Sequence, residues 1–213
     1  MIATLPFVDV ARRWKSDLQR RYLDDLCADP DLELLVTQGR KVSKIIGTLT
    51  ERYFFRHSAG PGWALVGDAG HHKDPILGWG ISEALTQAKM LAEAICDGGD
   101  VALERYWRQR DVDALPRFRM GEERAQPRIS PVFPVVLEKV SKTPEMSLML
   151  FRETEYDVNP YKLLPVSKVA LSVLGAVVRG HPRLILDFIA QGRRTSAVMT
   201  ELKERQKLLD AVG

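Results

Sequence analysis

Asp68 stands in the run Gly67-Asp68-Ala69-Gly70, and His71, His72, Asp74, Pro75, Gly78 and Gly80 follow within a few residues. The segment before it, Trp63–Val66, is apolar and bounded by glycines. The segment after it, from Ile81, repeats apolar residues at helical spacing. That order puts a carboxylate at a strand end with a helix N-terminus beside it. The carboxylate can accept hydrogen bonds from ligand hydroxyls. The unpaired N–H groups of a helix start carry roughly half an elementary charge and favour a negative ring edge. Gly67, Gly78 and Gly80 permit close backbone approach because no Cβ intervenes. Pro75 lacks an N–H and stiffens the turn against a flat ring. Trp79, between two of the glycines, is either a ligand-facing aromatic or a core plug.

A crevice of this kind suits a ligand with a polyol and a polar ring edge, which describes a flavin nucleotide. No Gly-x-Gly-x-x-Gly follows a strand anywhere in the sequence, so the usual pyrophosphate site of a dinucleotide is not encoded here. His71-His72 with Asp68 and Asp74 is a poor metal set. Adjacent side chains point apart, and no His/Glu pair at i,i+4 supports them. His57 and His181 have no Ser or Asp at useful spacing, so no hydrolytic triad is expected.

Several elements must position this loop. Phe7, Val10, Ala11, Trp14, Leu18, Tyr22 and Leu26 predict a helix over 7–27, ended by Asp29-Pro30. A short Leu-rich turn, Leu32–Val36, follows. Lys41–Ile46 and Thr48–Phe55 read as strands. Trp63–Val66, after the turn Gly60-Pro61-Gly62, reads as a strand buried on both faces. Ile81, Ala84, Leu85, Ala88, Leu91, Ala92 and Ile95 fall on one helix face, and Gly98-Gly99 ends that helix. A second helix is expected over about 101–114. Prolines 116, 127, 131, 134, 144, 160 and 165 predict only short helices over 116–165. Helical pieces near 166–178, 182–192 and 195–211 finish the chain.

Gly67-Asp68-Ala69-Gly70-His71, Asp74-Pro75, Gly78-x-Gly80-Ile81 and Ala88-x-x-Leu91-Ala92 together resemble the second FAD-binding motif of the flavoprotein monooxygenases. That group is typified by para-hydroxybenzoate hydroxylase. The flanks are similar as well. Helix 7–27 with Asp29-Pro30-Asp31-Leu32 resembles the end of that family's substrate domain, 52–62 its return strand, and Tyr106-x-x-x-Arg110 the helix after the motif. The resemblance implies that Asp68 binds the ribityl hydroxyls and that Pro75 lines the isoalloxazine. It also implies that Gly78, Gly80 and Ile81 meet the pyrimidine edge, with Gly67 and Trp79 completing the cofactor-binding set. The implied cofactor is FAD, reduced by NAD(P)H, and the implied reaction is oxygen transfer to a small organic substrate. Flavin-dependent isoprenoid reductases and halogenases use similar motifs. Gln87 stands where the family often has Asp.

The expected fold class is therefore α+β and mostly helical. A few strands complete an FAD-domain sheet, followed by the Gly-Asp loop and helix and then a C-terminal helical region. The N-terminal βαβ unit is lacking. The expected divisions are 1–56 (end of a substrate domain and return strands), 57–115 (FAD-contacting segment) and 116–213 (C-terminal helices). The family's N-terminal half, or self-association, is the expected partner that completes the cofactor site. The contrasting expectation is a non-catalytic helical interaction module.

Composition agrees with a globular chain: 45% of the residues are hydrophobic and 28% charged, enough to bury a core. A net charge of +3 without a base-stacking platform does not suggest nucleic acid. Cys27 and Cys96 match no disulfide or metal pattern, which predicts a cytoplasmic setting. The N-terminus shows no secretion signal. The most apolar segment, Leu163–Val178, carries Lys168 and is shorter than the roughly 20 residues of a membrane span.

Overall fold

The computed structural model describes residues 2–49, 51–126, 130–154, 159–162 and 166–212. It divides into two units, Met1–Glu51 and Arg52–Gly213, and each is described by itself. Leu163, Pro127 and Pro165 lie outside the described residues.

The first unit holds α1 (Val8–Trp14), α2 (Leu18–Leu26) and α3 (Pro30–Gln38). The single helix expected over 7–27 is broken because Asp17, at φ −153°, leaves helical space. Trp14 and Leu26 are buried, whereas Phe7 is exposed. The Leu-rich turn is a full helix, and its start explains why. The Asp29 carboxylate accepts from the N–H groups of Asp31 at 2.9 Å and Leu32 at 3.4 Å, and Pro30 occupies the first helical position. No strand forms over Lys41–Ile46, and among the described residues no strand pairs with that run. The strand expected over 48–55 is reduced to Phe54–Phe55, and residue 50 lies outside the described residues.

In the second unit, β1 (Phe54–Phe55) pairs antiparallel with β4 (His71–His72). A tight hairpin pairs β2 (Ala59–Gly60) with β3 (Trp63–Ala64), turning at Gly62 with φ +76°. Trp63 is 45% exposed, which corrects the expectation of a strand covered on both faces. A two-residue hairpin arm has too little neighbouring sheet to cover both sides. The next carbonyl is held, however, because the Tyr106 hydroxyl donates to Leu65 O at 2.8 Å.

Helices α4 (Gly80–Asp97) and α5 (Gly99–Arg124) follow the loop. They meet at Gly98 and Gly99, both at φ +82°, as the glycine pair predicts. The inward face of α4 is only partly the expected stripe: Leu91 packs on the core with Met90 and Ala94, but polar residues share that face. Glu83, Gln87 and Ala94 are buried, while Ile81, Leu85 and Ile95 are 78%, 69% and 63% exposed. α5 runs on through Pro116, against the expectation of a stop near 114. An internal proline costs roughly 3 kcal/mol. Burial of Ala114, Leu115, Pro116 and Phe118 offsets that cost.

The chain then forms α6 (Val132–Ser141), α7 (Pro144–Thr154), α8 (Val166–Val178) and α9 (Leu184–Asp210). α9 is one helix where two were expected. Gly192 costs only about 1 kcal/mol against alanine, too little to break a helix packed along α5. Two apolar clusters result. Ala59, Ala94, Tyr106 and Trp107 join the hairpin to α4 and α5, and Val132, Val173, Ala176 and Leu184 join α6, α8 and α9. Among the described residues the structure is mostly helical with few short strands, and no helix is long and apolar enough to cross a membrane.

The α4–α5 junction yields a stability prediction. Gly98→Ala should lower unfolding free energy by about 1 kcal/mol or more, because a Cβ is strained at positive φ. Urea denaturation of the two proteins measures it.

Candidate functional site

Gly67–Ala69 forms a single 3₁₀ turn that follows β3 and packs on α4. Gly67 has φ +58°, and a Cβ there would stand 3.1 Å from the Cβ of Ala84. Two requirements, left-handed backbone and close contact with a helix, therefore select glycine at this position. The turn leaves Asp68 exposed, with no hydrogen bond or ion pair among the described residues. Its carboxylate is available to a ligand.

Behind the turn lies a buried polar network. The Gly67 N–H donates to Gln87 Oε1 at 2.8 Å, and Gln87 Nε2 lies 3.4 Å from His71 Nδ1. His71 Nε2 lies 3.0 Å from Glu83 Oε2, and the Lys73 ammonium is paired with that same oxygen. The donors run in one order only when His71 is neutral with its proton on Nε2. Burial, aided by the nearby Lys73 and Arg110 cations, drives the imidazole down to about 3, so it is neutral at physiological pH. Burial also pushes the Lys73 ammonium down to about 8, which Asp68 opposes. Phe55 stacks on the His71 ring at 5.4 Å between centroids.

The second half of the loop is held from its own residues. Asp74 caps the 3₁₀ turn Pro75–Leu77, accepting from Ile76 N–H at 2.9 Å and from the Tyr53 hydroxyl. Gly78 closes that turn at φ +68°. No heavy atom lies within 4 Å of where a Cβ would stand at Gly78 or Gly80, so the backbone is open to an approaching group. α4 has no side-chain cap, and its first intrahelical bond is Glu83 N–H to Trp79 O. The N–H groups of Gly80, Ile81 and Ser82 therefore have no intrahelical acceptor. Pro75 is exposed, and so is the Ile81 side chain. Trp79 is buried beneath the helix start, with the Arg117 guanidinium 5.5 Å from its ring centre.

Arg110 supports the other flank. Its Nε and Nη2 donate to Asp111 Oδ1 at 3.1 and 2.5 Å, and Asp111 Oδ2 accepts from Arg205 of α9 at 2.8 Å. A Cβ on Gly70 would fall 2.0 Å from Arg110 Nη1, so the second glycine of the motif makes room for this guanidinium. A cavity of about 500 Å³ opens between α4, α5 and α9, lined by Gln87, Met90, Arg110, Arg117 and Leu202 among others.

The structure thus packs the Gly67–Ala69 turn against Ala84 and Gln87 of α4, leaves Asp68, Pro75, Gly78, Gly80 and Ile81 exposed, and buries Gly67 and Trp79. Sequence reasoning missed Lys73 and Glu83 and gave Gln87 no structural role. Their signal was present, since Glu83 and Gln87 stand four apart, but the stronger apolar stripe of α4 masked it. Among the described residues no group of His, Cys, Asp or Glu is arranged to hold a metal.

Comparison with known proteins gives one partial likeness. An 85-residue stretch, 39% of the chain, is 33% identical to a tryptophan 2-halogenase of Chondromyces crocatus and spans 16% of that protein's length. No family model matches the chain, and no solved structure matches it.

Two consequences of the buried network can be measured. Glu83→Ala leaves Lys73 buried without its counter-ion and should cost about 3–5 kcal/mol in chemical denaturation. His71 binds a proton in the unfolded chain near pH 6.5 but resists it in the fold down to about pH 3. Stability should therefore be fully present above pH 6.5 and fall as pH drops through that window, by up to roughly 1.4 kcal/mol per pH unit. His71→Gln should flatten the part of this slope between pH 6.5 and 5.5, read as unfolding midpoint against pH.

Proposed function

We propose that this chain supplies the FAD-contacting and C-terminal helical part of a flavin-dependent oxidoreductase, of monooxygenase type. The observation that carries the reading is Asp68, an exposed carboxylate with no hydrogen bond or ion pair among the described residues, on a turn packed against Ala84 and Gln87 of α4. Its support outside the structure is the motif resemblance over residues 67–92 and the partial likeness to a halogenase.

The residues present fit the cofactor. Asp68 would accept hydrogen bonds from the ribityl hydroxyls. Gly78 and Gly80 leave the backbone open to close approach, and Gly67 lets the turn pack against α4. Pro75 and Trp79 stiffen the loop beside the ring, one by its fixed φ and the other by burial. The free N–H groups at Gly80 and Ile81 would favour negative charge on the ring's pyrimidine edge. FAD, when bound, supplies the two-electron chemistry with NAD(P)H and oxygen. The protein's own contribution is to bind, orient and exclude water. The buried Lys73–Glu83–His71 network holds the loop to the helix, while the Asp68 carboxylate makes no hydrogen bond to it. The cavity of about 500 Å³ has the size of a small-molecule site. A polypeptide carrying a dinucleotide-binding βαβ unit, or a second copy of the chain, would complete the pyrophosphate site.

A second reading within the same class is halogenation, favoured by the stretch shared with the tryptophan 2-halogenase. Both readings need flavin at Asp68.

The test is a visible absorption spectrum after incubation with FAD and desalting. It is run on the chain alone and together with a βαβ-bearing partner. Retained flavin bands in either setting support the reading, and colourless protein in both leaves the non-catalytic helical module as the answer. Asp68→Asn removes a charge-assisted hydrogen bond worth about 1.5–3 kcal/mol, so FAD should bind some ten- to hundredfold more weakly. Thermal stability should stay unchanged, because the carboxylate is exposed.

A further inference from the structure

The loop joining α8 to α9 turns at Gly180, φ +102°, and carries Arg179, His181 and Arg183 at its tip. On either side the two helices expose apolar residues. Leu171, Leu174 and Val178 lie at i, i+3 and i+7 on α8, and Leu171 and Val178 are 70% and 84% exposed. Ile185, Leu186 and Ile189 are exposed on the first turns of α9. Val173, Ala176 and Leu184 face the opposite way, into the cluster with α6. The exposed apolar residues are therefore not core residues seen at an edge.

Charge is distributed unevenly around this patch. Residues 166–194 contain Lys168, Arg179, Arg183, Arg193 and Arg194 against a single carboxylate, Asp187. The whole chain carries only +3, so the hairpin holds more than its full net charge. None of the five cations forms an ion pair among the described residues. Glu138 of α6 lies near enough to Arg179 to feel it, but its ion partner is Lys142.

From this combination we infer that the α8–α9 hairpin docks on an anionic lipid surface, its apolar residues entering the headgroup boundary and its cations meeting lipid phosphates and carboxylates. An apolar face rimmed by Lys and Arg, on helices not both long and apolar enough to span, is the pattern of an interfacial contact. A second copy of the chain is the poorer occupant. Symmetric pairing through this face would bring two sets of unpaired cations together. The inference is independent of flavin binding, so either can fail without the other.

The experiment is co-sedimentation of the full chain with vesicles of phosphatidylcholine alone and of phosphatidylcholine with roughly a third phosphatidylserine. Binding to the anionic vesicles only, weakened by raised salt, is expected. Each basic residue near a charged surface contributes roughly fivefold, so Arg179→Gln with Arg183→Gln should weaken binding about 25-fold. Leu174→Ser with Val178→Ser should weaken it as well. All four side chains are exposed, and unchanged circular dichroism confirms that the variants fold. Three results would overturn the inference: no sedimentation with anionic vesicles, equal sedimentation with neutral ones, or a dimer in light scattering that Leu174→Ser dissociates.

Discussion

One buried carboxylate organises the candidate site. Glu83 is 1% exposed and meets His71 and Lys73, two residues of the loop that presents Asp68. A buried ion pair contributes little net stability over an apolar alternative, yet removing one partner strands a charge in low dielectric. The geometry is therefore specified more than it is stabilised. Glu83 ties loop to helix, because it meets both His71 and Lys73 in a buried setting. Gln87 extends the same logic to the backbone, where its amide takes the Gly67 N–H that a turn would otherwise leave orphaned.

α5 is the scaffold on which this arrangement rests. One helix supplies Tyr106 to the hairpin strand, Arg110 to Gly70, and Arg117 to Trp79. Farther along, Arg119 and Asp111 pair with Glu201 and Arg205 of α9. The electrostatic seam between α5 and α9 is partly exposed, so its pairs fix register more than they add stability. A register-fixed α9 in turn lines one wall of the cavity beside the site.

Polar groups are thereby sorted into two kinds. His71, Lys73, Glu83 and Gln87 are buried and bonded to one another, whereas Asp68 and the N–H groups at the start of α4 are left open. Such sorting is what a ligand site needs, because binding groups that already have partners must break bonds before they can form new ones. The α8–α9 hairpin shows a different separation, apolar and cationic residues exposed together with almost no acid among them.

Local signals in the amino-acid sequence determined much of this. Gly98-Gly99 marks the end of α4, Asp29-Pro30 marks a helix boundary, and the order of glycines and proline marks the loop around Asp68, since each acts through its own backbone preferences. Tertiary structure decided the rest. Apolar periodicity misplaced part of the inward face of α4, because Glu83 and Gln87 are buried only when Lys73, His71 and Gly67 arrive to satisfy them. Pro116 read as a stop, but a helix covered over 114–118 tolerates the missing hydrogen bond. The run over 41–46 reads as a strand by residue type, but none forms there. A strand needs a neighbour to accept its hydrogen bonds, and whether one is present is a property of the folded chain, not of the segment.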